Sequence, residues 1–249
     1  MKEYGLSDLF QVIGEIPTVR RIRGLEFCKG IGRIEPYLVV SVLNSLEELH
    51  LCYDGYEEEE EMEEETHLRL TVEQLELLFT AVAEKTNLKF LRLSGQDTEE
   101  ISPELFAAAV SNVEEVKLEN KYVNVKDDDN IKLVDITDEH FKALYSVIAA
   151  EEDRPMRKLT TLDYFDDETT IDPNLLSRAY NRLEEVTTDN CWFDWGSDEQ
   201  VTAILRGLVE GESRLKRLKM NIFDLVVVQN LDQNLVRRAE EKFEKFQYT

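Results

Sequence analysis

Apolar residues recur along this chain in a short pattern, Leu-x-x-Leu-x-Leu, whose last two members alternate with a polar position as an extended strand requires. It stands at Leu46/Leu49/Leu51, Leu88/Leu91/Leu93, Val113/Val116/Leu118, Leu159/Leu162/Tyr164, Leu183/Val186/Thr188 and Leu215/Leu218/Met220, with a fainter copy at Val19/Ile22. The pattern predicts seven strands, separated by alternately shorter and longer intervals. Between them the apolar spacing changes to three and four residues, which predicts helices over 6–14, 36–45, 72–85, 103–112, 138–150, 173–182, 198–210 and 232–246.

A longer repeat ties helix to strand. Ile-x-Pro-x-Leu followed by a Glu-Glu pair begins at Ile34, Ile101 and Ile171, so Pro36, Pro103 and Pro173 fall in register with Glu47-Glu48, Glu114-Glu115 and Glu184-Glu185. The prolines open helices, where a missing N–H costs nothing, and Ser102 and Asp172 precede two of them as N-caps. Thr71 with Gln74, and Ser197 with Gln200, read as capping boxes opening two longer helices.

Helices alternating with short strands, one unit every 25 to 30 residues or so, resemble the leucine-rich repeats of the ribonuclease-inhibitor type, found also in NOD-like receptors and Ran GTPase-activating proteins. The repeat Leu183-x-x-Val186-x-Thr188-x-x-Cys191-x-Phe193 carries the resemblance best, with Cys191 where that family places Asn or Cys. It implies an α/β solenoid, a horseshoe with about seven parallel strands on the concave face and helices on the convex face. Such repeats bury their apolar faces only against neighbours, so the whole of 1–249 is expected to form one domain. Its expected parts are an N-terminal capping helix at 1–18, repeats over 19–220 and a C-terminal cap at 221–249. An acidic insertion at about 53–71 and a loop insertion at about 121–136 interrupt the repeats and read as disordered loops.

Charge narrows the partners. Lys and Arg total 29 against 53 Asp and Glu, a formal net charge of −24, which repels a phosphate backbone and excludes nucleic acid as the expected partner. The run from Glu57 to Glu65, interrupted only by Met62, concentrates part of that charge. No apolar run approaches the roughly 20 residues that span a bilayer, and no secretory leader opens the chain. Three cysteines, Cys28, Cys52 and Cys191, show no metal-ligand spacing and fit a reducing compartment, cytoplasm or nucleus.

Candidate chemistry lies between the strand leucines. Basic Arg20, Arg21 and Arg23, then Glu47, Glu48 and His50, then Lys89 and Arg92, then Glu114 and Glu115 put opposite signs side by side; Glu184 and Glu185 beside Lys216, Arg217 and Lys219 repeat the contrast. Two readings stand: self-neutralising cross-strand pairs, or a mixed-charge docking face. Trp192 and Trp195, flanking Phe193, are both candidates for interface anchors and for local core. Phe90 and Phe165 add aromatic area at strand-face positions. The partner-binding candidates are thus Trp192, Trp195, Phe90, Phe165, Arg92, Glu114, Glu184 and Lys219, and the partner expected is another protein, with a basic surface suited to this acidic chain.

No local motif supports catalysis, a cofactor or a metal site: His50, His67 and His140 are scattered, no glycine-rich loop follows a strand, and neither Glu57 to Glu65 nor Asp127 to Asp129 has a calcium loop's alternation. The expectation is a non-enzymatic interaction scaffold, either a free-standing adaptor or the recognition end of a NOD-like sensor. Two other functions remain open: a regulator of a small GTPase, acting through Arg92 or Arg23, and an acidic chaperone of histones, acting through the Glu run.

Overall fold

A computed structural model of the chain describes residues 35–43, 46–52, 70–84, 87–94, 98–119, 121–124, 131–134, 136–150, 154–162, 171–189, 198–221 and 231–248. The start signals act as their chemistry requires. In the box ahead of the helix Val72–Glu84, Gln74 Oε1 accepts from the Thr71 N–H at 2.9 Å while Thr71 Oγ1 accepts from the Gln74 N–H at 3.2 Å. Ser102 caps the helix Pro103–Ser111 by accepting from the Leu105 N–H at 3.1 Å, and Asp172 caps the helix Pro173–Arg182 by accepting from the Asn174 N–H at 2.9 Å.

The elements in chain order are α1 (Pro36–Leu43), β1 (Glu48–Cys52), α2 (Val72–Glu84), β2 (Phe90–Ser94), α3 (Pro103–Ser111), β3 (Glu115–Glu119), β4 (Lys121–Asn124), β5 (Ile131–Val134), α4 (Asp138–Ala150), β6 (Lys158–Leu162), α5 (Pro173–Arg182), β7 (Glu185–Asp189), α6 (Asp198–Glu210), β8 (Arg217–Asn221), α7 (Gln233–Lys242) and β9 (Lys245–Tyr248). Seven strands form one parallel sheet in the order β1-β2-β3-β6-β7-β8-β9, and α1 to α7 pack each on the next. The sheet is open and follows chain order, an α/β solenoid of the leucine-rich-repeat kind with strands on one face and helices on the other.

Register explains the leucines. Leu49, Leu91, Val116, Leu159, Val186, Leu218 and Phe246 form one row across the sheet, and Leu51, Leu93, Leu118, Thr161, Thr188, Met220 and Tyr248 the next. A third buried row precedes each strand: Leu46, Leu88, Val113, Met156, Leu183, Leu215 and Phe243. The helices cover these rows with Leu78, Phe79, Phe106, Phe141, Tyr145, Tyr180 and Leu208, all essentially inaccessible. Their rings touch in sequence, Phe79 to Phe106 at 5.7 Å and Tyr145 to Tyr180 at 5.8 Å, so the core continues from one repeat to the next.

Where α5 meets α6, side chains are replaced by backbone. A Cβ on Gly207 would lie 2.4 Å from Ser177 Oγ and 2.7 Å from Ser177 Cβ, and one on Gly211 would lie 2.6 Å from Asn181 Nδ2. Asn181 uses the closeness to donate from Nδ2 to the Gly207 carbonyl at 3.1 Å. At the next interface the Lys242 ammonium donates to the carbonyls of Leu208, Val209 and Gly211, closing the C-terminal turn of α6 from outside.

Three expectations change. The fifth strand pairs as Met156/Leu159/Thr161, three residues earlier than Leu159/Leu162/Tyr164: Val116 lies opposite Leu159, and Thr161 occupies the core row with 1% exposure. The insertion at 121–136 contains an antiparallel hairpin, β4 with β5, where a disordered loop was expected. The helix expected over 232–246 ends at Lys242, and Phe243/Phe246/Tyr248 form an aromatic version of the strand pattern that becomes β9. The expected strand at Val19/Ile22, the helix at 6–14 and the Glu run lie outside the described residues.

Candidate protein-docking face

With every second strand residue committed to the helix side, the remaining positions form rows on the opposite face. The first row, at the strand entrances, reads Glu47, Lys89, Glu114, Arg157, Glu184, Lys216 and Glu244, linked by backbone bonds such as Arg157 N–H to the Glu114 carbonyl at 2.7 Å. Its sign alternates on all seven strands. The second row reads Glu48, Phe90, Glu115, Lys158, Glu185, Arg217 and Lys245, and the third His50, Arg92, Lys117, Thr160, Thr187, Lys219 and Gln247.

The alternation neutralises most of the charge sideways. Lys158 Nζ donates to Glu115 Oε2 at 2.7 Å, and that bond holds the ammonium above its ordinary value against the opposing effect of partial burial. Arg217 reaches Glu185 at 3.0 Å, Lys89 reaches Glu47 at 3.5 Å, and Glu184 lies between Lys216 at 3.6 Å and Arg157 at 3.9 Å. These pairs are half exposed, each contributing on the order of 0–1 kcal/mol, so their main effect is on charge presentation and strand register.

The tightest pair crosses from β2 to β3. Arg92 donates from Nε at 2.9 Å and from Nη2 at 2.7 Å to the same oxygen of Glu119, while Lys117 binds the other oxygen. Glu119 is buried. Burial alone would push its carboxyl up, but the hydrogen bonds and charges of Lys117 and Arg92 outweigh that and hold it below the usual carboxylate range.

The candidate residues therefore divide. Arg92 is committed to Glu119 and Glu184 is shared between two cations. Glu114 is exposed at the rim and Lys219 is half-buried on the face; neither has an ion-pair partner among the described residues. Phe90 interrupts the second row between Glu48 and Glu115, its ring 5.0 Å from that of His50. Trp192, Trp195 and Phe165 lie outside the described residues; the corrected register makes Leu162 the last face residue of β6. Lys245, beside Arg217 and without an ion-pair partner among the described residues, was not singled out from sequence, because its strand was read as helix.

One buried group concerns stability and not recognition. His140 is buried with Nε2 donating to the Ile101 carbonyl at 2.8 Å and Nδ1 facing Thr137 Oγ1 at 2.7 Å, so it stands where a capping-box Glu would and ties α4 to the start of α3. Burial pushes its imidazole down, more than its bond to Ile101 and the charges of Glu139 and Glu104 raise it. Among the described residues no group of three or more His, Cys, Asp or Glu could hold a metal ion, and no helix is long and apolar enough to cross a membrane.

No family model and no curated protein matches this chain. Among solved structures, it is similar to a chain in the crystal structure of the Rad7 and Elc1 complex in yeast, with 15% identity and a TM-score of 0.44 over 89% of this chain. It spans 50% of the length of that chain.

Proposed function

We propose that the chain is a protein-recognition scaffold of the ribonuclease-inhibitor-like repeat type, binding another protein through its strand-lined face and performing no chemistry itself. One observation carries this reading: the face neutralises most of its own charge and leaves a few groups, Phe90 beside His50, Glu114 and Lys219, presented on a stiff sheet. Glu114, just ahead of β3, and Lys219 on β8 are three strands apart, roughly 14 Å at the usual strand spacing. That span suits a protein surface better than a small molecule.

A partner with a basic surface fits the net charge of −24 and would meet Glu114. Trp192 and Trp195, which follow β7 in the sequence, are the proposed anchors, and the cytoplasm or nucleus is the expected setting. Regulation of a GTPase through Arg92 is disfavoured, since the guanidinium would have to give up both of its hydrogen bonds to the buried Glu119 carboxylate, leaving only Lys117 to compensate it.

The test is affinity capture with quantitative mass spectrometry, comparing the wild-type chain with Phe90→Ala/Glu114→Lys and with a helix-side control, Arg237→Gln. A partner held by the wild type and the control but lost from the face variant supports the reading. A partner retained equally by all three removes it.

A further inference from the structure

The second row of the face alternates in sign from Glu115 through Lys158 and Glu185 to Arg217, and on β9 the alternation fails. Lys245 stands directly opposite Arg217 where an anion would continue the series. Like charges directly opposite in a sheet repel. One strand back and one row along, Lys219 lies between Thr187 and Gln247, neither of which can neutralise it. Neither lysine has an ion-pair or hydrogen-bond partner among the described residues. Among the described side chains nearby, Glu185 is taken by Arg217 and Glu184 by Lys216 and Arg157, while Glu244, in the entrance row next to Lys245, makes no ion pair with either lysine.

We propose that this C-terminal end of the face, around Lys219 and Lys245, docks an acidic segment of the partner protein. The proposal rests on the scaffold reading above and gives the contact a polarity: a basic part of the partner at Glu114, a carboxylate-bearing part at Lys219 and Lys245. The chain's overall negative charge does not oppose it at contact range, because charges beyond about 8 Å are largely screened at physiological salt. Charge complementarity at two ammonium groups with no ion-pair partner among the described residues, placed diagonally on adjacent strands with backbones about 8 Å apart, selects an extended acidic peptide over a compact anion.

The experiment is fluorescence anisotropy with a short fluorescein-labelled oligo-glutamate peptide at about 0.15 M salt and at higher salt, run on the full chain, Lys219→Gln, Lys245→Glu and the Arg237→Gln control. Lys245→Glu completes the alternation beside Arg217, so it should leave Tm unchanged or raised; loss of binding there cannot be misfolding. The expected result is salt-sensitive binding, weakened about tenfold in Lys245→Glu and more modestly in Lys219→Gln, and intact in the control. No binding at about 0.15 M salt, or equal binding by all four proteins, overturns the proposal, as would concentration-dependent self-association abolished by the same lysine variants. Partner capture that still depends on Phe90 and Glu114 while the peptide fails to bind would leave the scaffold reading standing and this proposal rejected.

Discussion

Arg92 and Glu119 are joined diagonally across β2 and β3, with both Nε and Nη2 of the guanidinium on one carboxylate oxygen of a side chain that is only 9% exposed. The pair ties the second strand of the face to the third, and it turns a candidate contact residue into a part of the scaffold.

Removing the arginine while leaving the acid should therefore cost stability. Arg92→Ala is expected to lose about 1–2 kcal/mol in urea unfolding, the value of a charged hydrogen bond discounted for partial exposure. Because the folded Glu119 carboxyl is held below its ordinary value of 4.5, its stabilisation is complete above that pH and is lost as pH falls through the folded value. The wild type should lose more stability than Arg92→Ala on going from neutral to acid pH; parallel curves would contradict the pairing.

His140 gives a second pH dependence. Its folded value lies below 6.5, so the unfolded chain binds the proton more readily, and the neutral ring's contribution is present above pH 6.5 and lost as pH falls toward the folded value. His140→Gln, which retains a donor and an acceptor, should flatten thermal stability between neutral and mildly acid pH. An unchanged slope would assign the pH dependence elsewhere.

At the α5–α6 crossing, Gly207→Ala should destabilise although alanine favours helix by about 1 kcal/mol, because Ser177 Cβ is not a flexible tip that can swing aside. Ser177→Gly on the same chain should recover much of the loss. A double-mutant cycle with no coupling would show that the helices separate freely.

Thr161 and Thr188 lie opposite each other in the core row with hydroxyls that have no hydrogen-bond partner among the described residues. Replacing both by Val should be neutral or stabilising by about 1–2 kcal/mol in denaturant melts. A loss instead would mean that the two hydroxyls are satisfied in solution.

Much of this fold was readable in the residues. Where leucine or valine occupies the strand pattern, as at Leu88/Leu91/Leu93, strand and register both follow from period two. It failed where composition misled: Met156 and Thr161 hide the true fifth strand, while Leu162 and Tyr164 supply a shifted copy on the wrong side. The last strand hid behind aromatics, since Phe243/Phe246/Tyr248 carries the pattern without a leucine and continues a helical period. The charge contrast between Glu-Glu strands and basic strands was visible. Which members remain free was not, because a diagonal bond such as Arg92 to Glu119 depends on register between residues 27 apart.

The central claim is that recognition uses the strand-lined face. Hydrogen–deuterium exchange on the complex with the captured partner tests it most directly. The claim predicts added protection in peptides covering β2, β3 and β8, with the outer surfaces of α2, α4 and α6 unchanged. Protection confined to the helices, with the strand peptides exchanging as in the free chain, would contradict it.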